Sequence, residues 1–132
     1  MYIFNPLETL IRIINKWTPR GCNSEHQYKK SLQKKLETDL GKVDVESEFS
    51  IGKSRVDLYV DKEYLIELKF NLTKRGQLQR TKGQLVDYKK ICERSVYRGY
   101  PIILVVCGDI DSEIEIEISK FCEENHINII IK

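Results

Sequence analysis

The segment RVDLYV at residues 55–60, followed by LIELK at residues 65–69, decides the fold of this chain. Both segments are rich in β-branched and aliphatic residues, and Asp61-Lys62 between them is typical of a tight turn. They predict two adjacent β-strands. On either side of this pair, the spacing of apolar residues predicts further helices and strands. The predicted order of elements is α, α, β, β, β, α, β, α, β.

The bounds of these elements follow from apolar spacing and from end signals. Ser24 and Ser112 are expected to cap helices, and Gly41 is expected to end one. A meander of three strands that feeds a helical crossover predicts an α/β fold with a mixed sheet and helices on both faces. The predicted helices span 3–17, 25–40, 77–94 and 112–124, and the predicted strands span 43–49, 55–60, 64–70, 101–107 and 127–131.

The length of the chain indicates how many domains it has, whereas its charge says little about its function. The 132 residues fit a single domain over 1–132, with 1–20 as an N-terminal helical extension. A net charge of +2 gives no bulk electrostatic reason for binding nucleic acid. Basic residues nevertheless crowd two segments, around 29–35 and 74–82. These are either solvated helix faces or two flanks that grip a nucleic acid backbone.

The four cysteines, Cys22, Cys92, Cys107 and Cys122, are too far apart to form a zinc knuckle or a redox pair. Their spacing indicates reduced, mostly buried thiols, as in a cytoplasmic protein. No apolar run has the length of a membrane span, so no membrane partner is expected.

The strand pair also carries the candidate chemistry. Residues two apart on a strand point to the same face, so Glu67 and Lys69 project together while Leu68 points to the other side. Asp57 on the neighbouring strand can lie beside them. Two carboxylates and the main-chain carbonyl of Leu68 are oxygen ligands that suit Mg²⁺ or Mn²⁺. The alternative is a surface ion pair on a half-exposed strand with Asp57 as its cross-strand partner.

Asp57, nine residues, then Glu67-Leu68-Lys69 resembles the signature of the PD-(D/E)xK nuclease superfamily. The resemblance covers roughly residues 24–107 and implies a restriction-endonuclease-like fold with an αβββαβ core and an extra N-terminal helix. Val56 stands where the signature often has proline. An acid on the helix before the sheet also belongs to the family pattern. Glu25 matches it, and His26 is the alternative.

The helix after the strand pair resembles the Gln-xxx-Tyr element of the RecB-like branch of this superfamily. The Holliday-junction-resolvase-like branch is the alternative. Gln84 and Tyr88 lie four residues apart and therefore share a helix face. The resemblance implies that both contact substrate, and the alternative for Tyr88 is a core aromatic residue. Three cations from the basic segments complete the predicted substrate contacts: Lys29, Arg75 and Lys82.

The sequence thus predicts a magnesium-dependent deoxyribonuclease. Asp57 and Glu67 would bind the metal, Lys69 would assist the attacking water, and Glu25 would complete the catalytic group. The resemblance implies products with 5′-phosphate ends, a setting in DNA repair or recombination, and a possible homodimer. Two alternatives stay open, a non-catalytic nucleic-acid-binding or assembly module on the same fold and an α/β protein unrelated to nucleic acid.

Overall fold

The computed structural model describes residues 6–94 and 99–132. Within them, the elements follow one another in the order that the sequence predicts. The helices are α1 (Pro6–Lys16), α2 (Glu25–Leu40), α3 (Arg75–Glu93) and α4 (Ser112–Glu124). The strands are β1 (Val45–Ile51), β2 (Ser54–Val60), β3 (Tyr64–Leu72), β4 (Ile102–Ile110) and β5 (Asn128–Ile131).

The five strands form one mixed sheet in the order β1-β2-β3-β4-β5. β1, β2 and β3 are an antiparallel meander, and β4 and β5 continue the sheet in parallel. The connections that contain α3 and α4 supply the two parallel crossovers. The predicted mixed α/β sheet is therefore confirmed. β3 lies at its centre, between an antiparallel and a parallel neighbour.

Each face of the sheet has its own apolar core. Side chains of α1 and α2 pack on one face, around Leu58, Ile66 and Leu68. Side chains of α3 and α4 pack on the other face, around Tyr59 and Leu65. Burial of β4 on both faces explains its nearly continuous apolar sequence at residues 102–107.

The N-terminal end of α2 lies at the candidate site because the helix is fixed along its length. The Ser24 hydroxyl accepts a hydrogen bond from the Gln27 amide, which caps the helix as predicted. Leu32 and Leu36 are fully buried against the sheet. Gly41 ends the helix with a positive φ of 67°, a conformation that glycine adopts without steric cost.

Several element ends differ from the predicted ones: β1 is Val45–Ile51, β3 continues to Leu72 and α3 begins at Arg75. The α4 cap is Asp111, not Ser112, because the Asp111 carboxylate accepts hydrogen bonds from the Glu113 and Ile114 amides. β4 continues to Ile110, where it still pairs with the end of β3. The first predicted helix is seen as Pro6–Lys16, and its residues 3–5 lie outside the described residues.

The side chains of the cysteines agree with the expectation of mostly buried thiols. Cys92, Cys107 and Cys122 are buried, Cys22 is half-buried, and all four are free. Among the described helices, none combines the length and the apolar character needed to cross a bilayer.

Candidate active site

The candidate site lies where two central strands stop pairing. The β2–β3 ladder runs from Val60↔Tyr64 to Leu58↔Ile66 and ends there. One residue further, Asp57 and Glu67 would have been the next opposed pair. β3 meanwhile keeps its parallel pairing with β4 as far as Leu72↔Ile110. The opening between residues 56–57 and 67–68 is called the strand gap below.

The backbone of β2 and β1 changes direction at the same level. Val56 packs in the core under α3 and α4, whereas Leu58 packs in the core under α1 and α2. Residues two apart on a regular strand would share one face. Opposite this point on β1, Glu48 has a φ of 53°, which is uncommon for a residue with a side chain. The local irregularity turns the Asp57 side chain into the strand gap.

Side chains replace the missing ladder bonds in the strand gap. The Leu68 amide donates to Oδ2 of Asp57 at 2.8 Å. The Asp57 amide donates to Oε1 of Glu67 at 3.3 Å. Each carboxylate thus binds the backbone of the opposite strand. These reciprocal bonds fix both acids relative to the sheet, and they bring the predicted pair together.

The main-chain carbonyl of Leu68 opens toward the same gap. In an antiparallel ladder, the N–H and C=O of one residue point to the same side of the strand. The Leu68 N–H points at Asp57, so its C=O points toward β2 as well. The donor set at the gap is therefore two carboxylates and one carbonyl. These oxygen donors fit Mg²⁺ or Mn²⁺, because Mg²⁺ binds few protein ligands and keeps several waters.

The Glu67 carboxyl has a pKa well above that of an ordinary glutamate. Glu67 is only 3% exposed. Burial, followed by repulsion from Asp57, raises the pKa of Glu67 from 4.5 to about 8. The Lys69 ammonium, the Asp57 amide and the Tyr88 hydroxyl act in the opposite direction and lower this pKa. A divalent cation between these two carboxylates would offset their mutual repulsion and favour their ionised forms.

Lys69 lies on the same side of β3 as Glu67, as predicted. Its Nζ is 3.5 Å from Oε2 of Glu67, and its side chain is 20% exposed. It also lines a cavity of about 180 Å³ between α2, the end of β3 and the start of α3. Glu25 lines that cavity too, whereas His26 is exposed elsewhere on α2. The structure therefore brings Glu25, and not His26, to the same space as Lys69.

Lys29 reaches the other side of the Asp57 carboxylate. Its Nζ is 4.0 Å from Oδ1 of Asp57 and forms an ion pair with Oε1 of Glu48. The Lys29 side chain is only 13% exposed, so this ammonium is held within the site. Lys29 is one helical turn from Glu25, and the first two turns of α2 supply both residues.

Tyr88 and Gln84, the two predicted site residues on α3, differ in their hydrogen bonds. Tyr88 is 2% exposed, and its hydroxyl donates to the Arg55 carbonyl at 2.7 Å. The same hydroxyl interacts with the Glu67 carboxyl, which raises the pKa of Tyr88 further above its ordinary value after burial has raised it most. The Gln84 side-chain oxygen is buried, and no described residue donates a hydrogen bond to it.

Arg75 and Lys82 have a partner on α4 rather than in the strand gap. Arg75 Nη2 is 2.7 Å from Oε2 of Glu117, and Lys82 Nζ is 2.9 Å from Oε1 of the same residue. The two cations lower the pKa of the Glu117 carboxyl, chiefly through these hydrogen bonds. Lys82 also lies 5.6 Å from the centre of the Phe121 ring.

Two residues of the site were not singled out from the sequence. Glu48 resembles any acid on the wet face of an edge strand, and only its φ and its ion pair with Lys29 distinguish it. Arg80 lines the cavity beside Lys69 and has no ion pair among the described residues. Arg80 belongs to the basic segment around 74–82, and that clustering was the available signal.

Across residues 6–94 and 99–132, no three His, Cys, Asp or Glu side chains gather into a metal-binding group. The strand gap offers two carboxylates instead. No protein-family model, curated protein or solved structure matches the chain.

Proposed function

We propose that this chain is a metal-dependent nuclease that hydrolyses DNA phosphodiester bonds. The proposal is carried by one observation: the β2–β3 ladder stops where Asp57 and Glu67 meet, and the two carboxylates take over its backbone bonds. A structural ion pair would not require the central strands to separate. The choice of DNA as substrate comes from the resemblance to PD-(D/E)xK nucleases.

In this proposal the oxygens of Asp57, Glu67 and the Leu68 carbonyl hold Mg²⁺ or Mn²⁺. A divalent ion bound there would neutralise charge on the scissile phosphate and lower the pKa of a coordinated water. The rigid backbone bonds to both carboxylates support this role, because they fix the ligands before the ion arrives.

Lys69 would act on the reacting groups from the wall of the cavity. Its ammonium either orients the attacking water or stabilises the charge that develops on the phosphate. The Glu67 contact at 3.5 Å limits where this ammonium can lie, and its partial exposure leaves it open to the cavity. Glu25 would complete the site from α2.

The cavity would receive the phosphate backbone. Lys69 and Arg80 give its wall positive charge, and Gln77 and Thr81 give it polar character. The unpaired oxygen of Gln84 lies on the same helix. A buried acceptor without a partner costs about 1–3 kcal/mol, so a substrate group or a water that donates to it would be favoured.

The test is cleavage by the purified protein with Mg²⁺ or Mn²⁺. Single-stranded, nicked, branched and duplex DNA are offered separately, and products are resolved on denaturing gels. Asp57→Asn and Lys69→Ala should each lower the cleavage rate by about 100-fold or more, as removal of a preorganised electrostatic group commonly does. Circular dichroism checks that both variants fold.

Two variants provide matched controls. Asp61→Asn changes the same residue type in the turn after β2, and asparagine tolerates its positive φ of 55°. Lys120→Ala removes an exposed lysine on α4. Both should cleave as the wild type does. Cleavage that survives Asp57→Asn and Lys69→Ala would reject this site, and DNA binding without cleavage under any metal would favour a non-catalytic module.

A further inference from the structure

The ion pair between Lys29 and Glu48 joins two elements at the edge of the strand gap. Lys29 comes from α2, and Glu48 comes from β1. On the β1–β2 ladder, the pairs Ser47↔Leu58 and Phe49↔Val56 flank Glu48 and Asp57, which are therefore opposite each other. Like charges directly opposite on two strands repel each other. The Lys29 ammonium lies between them and relieves that repulsion.

The ammonium is shared unequally between the two carboxylates. Lys29 Nζ is in direct contact with Oε1 of Glu48 but 4.0 Å from Oδ1 of Asp57. Glu48 is also the more exposed acid, with 45% of its side chain accessible against 18% for Asp57. Glu48 thus draws the cation outward. Oδ1 of Asp57 is therefore only at the outer limit of an ion pair with Lys29, at 4.0 Å.

The position of Glu48 on the backbone strengthens this arrangement. Its φ of 53° is strained for a residue with a side chain, yet this position holds glutamate and not glycine. The same turn of β1 accompanies the change of face between Val56 and Leu58. The backbone irregularity at Glu48 therefore lies level with the strand gap, and the Glu48 side chain contacts Lys29 there.

We propose that Glu48 is a positioning residue that holds the Lys29 ammonium off Asp57 and so keeps that carboxylate available to a divalent cation. The inference rests on the proposed function, because it assigns Asp57 as a metal ligand. Without Glu48, Lys29 moves onto Oδ1 of Asp57 and competes with the metal for it. Lys29 held by Glu48 stays at the mouth of the gap, where it meets an incoming phosphate.

Isothermal titration with Mn²⁺, in the absence of DNA, tests the proposal through binding alone. Glu48→Gln should weaken Mn²⁺ binding about three- to tenfold, because an ammonium at contact distance competes for Asp57. Lys29→Met should bind Mn²⁺ at least as tightly as the wild type. Glu46→Gln, which removes an exposed acid from the same strand, serves as the matched control and should bind as the wild type does.

The double variant Lys29→Met/Glu48→Gln separates a positioning role from direct ligation. If Glu48 acts through Lys29, the double variant regains the affinity of Lys29→Met. An affinity as weak as that of Glu48→Gln alone would overturn the inference, since Glu48 would then bind the metal itself or support the fold. Wild-type affinity in Glu48→Gln would overturn it as well.

Two further measurements keep the outcomes distinct. Glu48→Asn is a second neutral variant suited to a positive φ, and it replaces Glu48→Gln if that variant fails to fold. Asp57→Asn reports on the proposed function itself. If the wild type and Asp57→Asn bind Mn²⁺ equally, the metal site is wrong. If the wild type binds Mn²⁺, Asp57→Asn does not, and Glu48→Gln binds as the wild type does, the metal site stands and the positioning role fails.

Discussion

The Leu68 amide donates to Oδ2 of Asp57 at 2.8 Å, although the strands that carry them have already stopped pairing. A side chain therefore does the work of a main-chain acceptor in the middle of the sheet. The two oxygens of Asp57 thus have different surroundings. One binds the backbone of β3, and the other faces Lys29 and is the proposed metal ligand.

Asparagine and alanine at position 57 should separate the roles of these two oxygens. Asp57→Asn keeps an oxygen for the Leu68 amide, whereas Asp57→Ala leaves this buried N–H without a partner. An unsatisfied buried donor costs about 1–3 kcal/mol, so we expect Asp57→Ala to be less stable than Asp57→Asn by that amount. Urea unfolding measures the difference. Equal stability of the two variants would show that water satisfies the amide instead.

Glu67 should make the stability of the metal-free protein fall as pH rises. The folded pKa is about 8 and the reference value is 4.5, so between these values the folded protein holds a proton that the unfolded chain has lost. Stability decreases with pH wherever the folded state binds more protons. The contribution is therefore complete below about pH 4.5 and lost as pH rises through 8.

Glu67→Gln supplies the comparison, because an amide does not titrate. Urea unfolding of both proteins in EDTA, at intervals from pH 5 to 9, should show wild-type stability falling relative to that of the variant. Glu46→Gln, at an exposed position, should follow the wild type. Parallel curves for the wild type and Glu67→Gln would contradict the raised pKa.

Glu117 should restrain the two cations on α3. Arg75 and Lys82 both pair with it, and they were predicted to contact DNA. Glu117→Gln removes one negative charge and frees both cations, so DNA affinity should rise about two- to fivefold at low salt and less at high salt. Fluorescence anisotropy with labelled DNA measures this change. Glu124→Gln at the end of the same helix is the control. An unchanged affinity would indicate that neither cation faces the DNA.

Two glycines should respond in opposite directions to alanine. Gly108 has a φ of 78°, and an added Cβ would lie 2.8 Å from Cε1 of Phe70 and against Oδ1 of Asn71. Gly108→Ala should therefore destabilise the protein by about 2 kcal/mol or more, through strain and overpacking.

Gly83 lies within α3 with open space around it, so Gly83→Ala should stabilise the protein by about 0.5–1 kcal/mol. Thermal unfolding compares the two, and a stable Gly108→Ala protein would contradict the packing described.

The order of the elements was predictable because each depends on local patterning. The alternation of apolar and charged residues at 66–70, the helical spacing in 25–40 and the Ser24 cap each act over a few residues. The choice of Asp111 over Ser112 as the α4 cap was harder, since both residue types serve as caps and the sequence offers them side by side.

The strand gap could not be read from the sequence. The alternation around Asp57 and Glu67 continues unbroken, so nothing local predicts that the ladder stops at Leu58. The positive φ of Glu48 has no sequence signal, because glutamate is not a residue that favours it. The side chains that meet in the gap were nevertheless found, since the two-residue period of a strand fixes the common face of Glu67 and Lys69.

The early end of the β2–β3 ladder has a mechanical consequence for the β1–β2 hairpin. Beyond Leu58 this ribbon is joined to β3 through the carboxylates of Asp57 and Glu67, and to α3 through the Tyr88 hydroxyl, which donates to the Arg55 carbonyl. β3 remains clamped along its other edge by β4. The tip near Ile51 therefore forms no ladder bond to β3 and is held by packing instead, because Ile51 and Val56 are fully buried in the core under α3 and α4.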